Sequence, residues 1–142
     1  LFGTGKELFA SAQGLMAGAK EFPDNALIRA IVPDPTAADR GAEMDRAKKT
    51  RDWMVARMKA KGVDKPEKFT ALAIEDSAAA AALLDTKASP EEAAQYRQWV
   101  TKVAETVANA ATEGGFLGFG GERLSAGEKT VIAQIQAALK TA

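Results

Sequence analysis

A chain of 142 residues has the length of one domain, and residues 1–142 read as a single helical unit. It has no Cys and no His, which excludes disulfides, thiolate or imidazole metal sites, and hydrolases built on Ser–His–Asp or Cys–His. Nineteen basic and nineteen acidic residues cancel, so the chain as a whole lacks the positive field of a general nucleic-acid binder.

Ala fills 31 positions, more than Leu, Ile, Val and Phe together at 28. Ala is the best helix former and lets helix axes approach closely, so the composition predicts an all-α bundle. No apolar run reaches the ~18 residues of a membrane span. No basic stretch precedes an apolar one in the manner of a signal peptide. The expectation is a cytoplasmic protein without a membrane partner.

In chain order, Leu8, Phe9, Ala12, Leu15, Met16 and Ala19 form one helical stripe over residues 5–21, with Thr4 able to cap it. Gly14 and Gly18 stack one turn apart on this helix, which predicts a close crossing by another helix. Phe22-Pro23 ends it. Asp24 or Asn25 caps a short helix over 25–32, lined by Leu27, Ile28, Ile31 and Val32, and Pro33-Asp34-Pro35 stops it.

Thr36 or Asp39 opens what the pattern predicts to be the longest helix, about residues 36–61 and roughly 38 Å long. Met44, Ala47, Met54, Val55 and Met58 form its apolar stripe, and Gly62 is its expected stop. Asp64 to Glu67 fits a capping box for the next helix. Residues 66–86 read either as two short helices recapped near Ser77 or as one bent helix.

Ser89-Pro90-Glu91-Glu92 is the clearest signal: Ser caps, Pro takes the first helical position and Glu92 reaches back. Ala93, Tyr96, Val100, Val103 and Val107 form the stripe of this helix, flanked by Trp99. Gly114-Gly115 stops it. A last helix opens at Ser125 with Glu128 and carries Val131, Ile132, Ile135, Ala138 and Leu139. The sum is an all-α bundle of about six or seven helices.

Two segments are candidate sites. Residues 114–121, Gly-Gly-Phe-Leu-Gly-Phe-Gly-Gly, combine backbone freedom with large apolar side chains. One reading drives Phe116, Leu117 and Phe119 into the core. A second presents Phe116 and Phe119 to a partner. A third makes a nest of backbone N–H groups that holds an anion, with Arg123 assisting. The segment does not match a dinucleotide loop, and Gly3-Thr4-Gly5-Lys6 fails as a phosphate loop because no strand leads into it.

The second candidate is the run 46–61, which holds seven cations against the single acid Asp52, with Trp53 among them. Around the helix, Trp53 neighbours Lys49, Arg57, Ala56 and Ala60 and points away from the Met54–Val55–Met58 stripe. Such a face suits a phosphate backbone or an acidic partner. The plainer reading is a solvated basic face with Trp53 packed against another helix. Residues 73–95 are acidic and are expected to face this run within or between chains. Paired carboxylates such as Asp39 and Glu43 lack facing mates, so they read as caps and surface charge.

The stretch GGFLGFGGERLSAGEK, residues 114–129, is similar to the C-terminal segment of a family of small uncharacterised bacterial all-helical proteins. The resemblance implies a bacterial helical protein and carries no activity, cofactor or site residue with it.

The sequence therefore points to a non-enzymatic helical interaction module, self-associating or binding a protein partner, with no cofactor. The alternatives are a small-ligand or anion binder, or a carboxylate–metal enzyme, using the glycine-rich loop 114–121, and a nucleic-acid accessory role for helix 46–61, which the balanced charge disfavours. Trp53, Arg57, Lys49, Phe116, Phe119 and Arg123 are the candidate contact residues.

Overall fold

Caps and breakers set the helix ends in the computed structural model, which describes residues 14–34, 36–110 and 126–140. Residues 14–21 are helical and form α1. They are followed by α2 (Ala26–Ile31), α3 (Arg40–Ala60), α4 (Pro66–Lys87), α5 (Pro90–Ala110) and α6 (Ala126–Ala138). The described residues contain no strand, and the fold is all-α. No described helix is long and apolar enough to cross a membrane.

Several termini follow the sequence closely. Asn25 caps α2, its side chain accepting from the Ile28 amide at 3.0 Å. Ser89 and Glu92 form the reciprocal box at the start of α5: the Glu92 amide donates to Ser89 Oγ and the Ser89 amide to Glu92 Oε2, each at 3.2 Å. Gly62, at φ +63°, ends α3. There the Val63 amide donates to the Met58 carbonyl and the Gly62 amide to the Lys59 carbonyl, the paired bonds of a Schellman stop.

Others differ. Asp39 rather than Thr36 caps α3, because Thr36 is held in a local turn in which its amide and hydroxyl both donate to Asp34 Oδ1. The helix therefore spans 21 residues, and α4, with 22, is longer. The box expected at Asp64 does not form. Lys65 is the N-cap, Pro66 opens α4, and Asp64 pairs instead with Lys68 at 2.8 Å. Residues 66–87 form one helix, in which the Ser77 hydroxyl donates to the Ala73 carbonyl at 2.7 Å instead of starting a new turn.

The core lies where α1, α2 and α5 meet. Ile28, Val32 and Trp99 are buried there, with Leu15, Phe22, Tyr96, Val100 and Val103 packed around them. The ring of Tyr96 meets Trp99 edge-on, with centroids 5.6 Å apart, and burial raises the Tyr96 pKa. Gly14 and Gly18 provide the close crossing that their spacing predicts: α5 lies against them through Thr106, Val103 and Trp99. The Trp99 indole N–H donates to the Leu15 carbonyl at 3.3 Å. Helix α4 packs chiefly on α6, and α6 also packs on α5. Leu72, Ala81, Leu84, Ala93 and Leu139 are buried in this second half.

Candidate interaction surface

Helix α3 differs from the other long helices in what it leaves uncovered. None of its residues is buried. Met44 is 73% exposed, Trp53 60%, and Met54 and Val55 47% each, while Met58 is half-buried. The stripe that the sequence assigns to the interior is thus an outer surface. A core Met or Val brings of order 1.5–3 kcal/mol on full burial, and α3 forgoes most of that gain.

Polar tethers hold α3 in place. Near its start, Arg46 donates to the carbonyls of Ala30 and Val32 at the end of α2, and it pairs with Glu43 at 2.9 Å. Near its end, the Arg57 guanidinium binds the Asp76 carboxylate of α4 through Nε, at 3.1 Å, and through a second, short bond from Nη2. Asp76 thereby raises the Arg57 pKa, with Glu75 adding to the effect. Lys61 donates to Glu75 at 2.6 Å. The basic and acidic segments do face each other, within one chain, at this seam.

The predicted contact residues separate accordingly. Arg57 is half-buried and committed to Asp76, and its guanidinium also lies 5.8 Å from the centre of the Trp53 ring. Trp53 is 60% exposed and no helix among the described residues covers it, so the packed position expected for it is not observed there. Lys49 is exposed, and neither it nor Lys59 makes an ion pair among the described residues. Lys48 and Arg51 both pair with Asp52. Phe116, Phe119 and Arg123, with the rest of the glycine-rich segment, lie outside the described residues.

The structure adds a feature that periodicity did not reveal. A groove of about 470 Å³ runs between α2, α4 and the start of α5, lined by Leu27, Ile31, Ala80, Leu83, Leu84 and Tyr96, with Lys87 and Glu92 at its polar edge. Leu83 and Ile31 are 57% and 47% exposed. Of the five Ala at 78–82 only Ala80 lines the groove, and no local pattern announces a groove that three helices form together. Among the described residues no three acidic side chains cluster as a metal site would require.

No protein-family model, curated protein or solved structure matches this chain.

Proposed function

We propose that this chain is a non-enzymatic helical interaction module that engages a protein partner through α3. The observation that carries the reading is the state of that helix: Met44, Trp53, Met54 and Val55 face water on an element in which no residue is fully buried. Large exposed apolar side chains gathered on one element of a folded protein are a feature of interaction sites. Met side chains suit such a surface because they adapt their shape to the partner.

The nucleic-acid reading draws less support. Four of the cations on or beside this helix, Lys48, Arg51, Arg57 and Lys61, are already paired with Asp52, Asp76 and Glu75. A phosphate backbone would have to displace those partners. The small-ligand reading rested on residues 114–121, which the structure does not describe.

A photo-crosslinking residue at position 55, in cells that produce the protein, tests the proposal against the same residue at the exposed position 98 of α5. A discrete cross-linked protein from position 55 and none from position 98 is the expected result. An identical pattern from both positions removes the special status of α3.

A further inference from the structure

We infer that α3 is a strap, hinged at both ends and latched by polar contacts across one end of the apolar groove, and that it swings from the body as a unit while the core stays folded. The inference does not depend on what binds α3. It starts from how the helix is attached. None of its residues is fully buried, and no pair of closely packed helices includes it. Its most covered apolar side chain is the half-buried Met58. The attachment is a short set of polar bonds: Arg46 to the Ala30 and Val32 carbonyls, Arg57 to Asp76, Lys61 to Glu75, and the Asp34 amide to Glu43 Oε2 at 3.1 Å.

The anchors set α3 across the groove. The Ala30 and Val32 carbonyls flank Ile31, which lines one wall. Asp76 stands one turn before Ala80 on α4, and Ala80 and Leu83 line the other wall. Arg46 grips the first wall and Arg57 the second, so α3 runs from one to the other at this end. Trp53 lies seven residues beyond Arg46 and four before Arg57, which puts all three on one face of the helix. That face is the one tied to the body, yet Trp53 is 60% exposed. The anchors therefore hold the ring over open space beside the Arg57 guanidinium and do not pack it.

Both ends can bend. Before α3, Pro33 precedes a local turn in which Thr36 donates twice to Asp34 Oδ1. After it, Gly62 sits at φ +63° in open space. Loop and element-terminal positions of this kind absorb the rotation of a moving element. Apart from the partial cover of Met58, no apolar contact resists the swing, and regions with few such contacts open at lower free energy than the core. Once released, α3 lacks the packing that sustains helices in proteins, so it loses its internal hydrogen bonds as it leaves. Release uncovers the groove at Ile31 and Ala80 and frees Arg46, Arg57 and Lys61 together.

Native-state hydrogen exchange on the full chain tests this, beside a thiol probe made unique by the absence of Cys. The amides of residues 44–60 are expected to be at least about a hundredfold less protected than those of Trp99, Val100 and Val103. Asp76→Asn is expected to speed the α3 amides by about three- to tenfold and to leave the core amides unchanged. Gly18→Ala acts on the contact between α1 and α5, so it is expected to speed the core amides and leave α3 unchanged. An Ala80→Cys thiol should react with a maleimide about three- to tenfold faster once Asp76→Asn is added. Arg57→Gln breaks the same bond from the other side and serves in parallel if Asp76→Asn perturbs folding by circular dichroism. Equal protection of α3 and the core overturns the inference, as does a latch variant that speeds both alike or neither. Faster exchange confined to the ends of α3, or an unchanged Ala80→Cys rate, would mean fraying in place and overturns it too.

Discussion

The indole of Trp99 occupies the space in which Gly18 would carry a side chain. A Cβ built on Gly18 would stand 1.8 Å from Trp99 Cδ1 and 2.1 Å from Nε1. The two helices touch backbone to ring, and the contact tolerates no methyl group unless the buried indole moves.

Gly18→Ala is therefore expected to destabilise the fold by about 1–3 kcal/mol, the usual cost of overpacking, even though Ala is the better helix former. Gly14 is the internal control. Its built Cβ meets Thr106 at 3.4 Å, close to ordinary contact. Gly14→Ala is expected to be neutral or stabilising by up to about 1 kcal/mol. Urea denaturation of the two variants measures the difference, and equal midpoints would contradict the geometry.

Asn25 is 1% exposed and joins two helix starts. Its oxygen caps α2, and its Nδ2 donates to the Glu92 carbonyl at 3.2 Å and to Gln95 Oε1 at 2.9 Å on α5. Asn25→Ala removes the cap from the buried Ile28 amide and strands two part-buried acceptors on α5, at an expected loss of about 1–3 kcal/mol. Ser89→Ala removes an exposed cap only, at about 0.5–2 kcal/mol. Thermal or chemical unfolding should rank Asn25→Ala as the more damaging of the pair.

The Lys140 ammonium, at 2.7 Å, and then the Arg97 guanidinium, at 3.0 Å, hold the Asp85 carboxyl below its ordinary value of 3.8. A carboxyl whose pKa is lower in the folded state stabilises the fold above its unfolded value. That contribution is lost as pH falls through 3.8 toward the lowered folded value. The advantage of the native chain over Asp85→Asn should be constant near neutral pH and shrink below about pH 4. Because Asp85 is 43% exposed, the difference should also narrow in high salt. Urea midpoints of both proteins across the acid range report it; a gap that widens on acidification would refute the assignment.

Much of the frame was legible because it is written in local chemistry. The pair Gly14 and Gly18, the Asn25 cap, the Ser89–Glu92 box and the stop at Gly62 each depend on residues within a few positions of one another, and each is found. The Asp64 box failed because Pro66 sets the start of α4 one residue later and Lys68 claims the carboxylate. The stripe on α3 misled for a different reason. Periodicity tells which side chains share a face and says nothing of whether another element covers it. Trp53 and Trp99 show the same limit. One stands beside Lys49 and Arg57 in water and the other beside Tyr96 in the core, at 60% and 3% exposure. The cations flanking Trp53 were the available sign. The groove beside Leu83 depends on three helices meeting, which no single window of sequence displays.

The anchoring of α3 by Arg46, Arg57 and Lys61, with no fully buried residue of its own, has a thermodynamic consequence. Unfolding a packed helix exposes hydrocarbon and so carries a large positive heat-capacity change. Releasing α3 from the body exposes little by comparison, since its most covered apolar side chain is the half-buried Met58. Its attachment should therefore vary little in strength with temperature and strongly with ionic strength, the reverse of the core formed by Ile28, Val32 and Trp99. One chain thus holds two kinds of cohesion, one governed by heat and the other by salt.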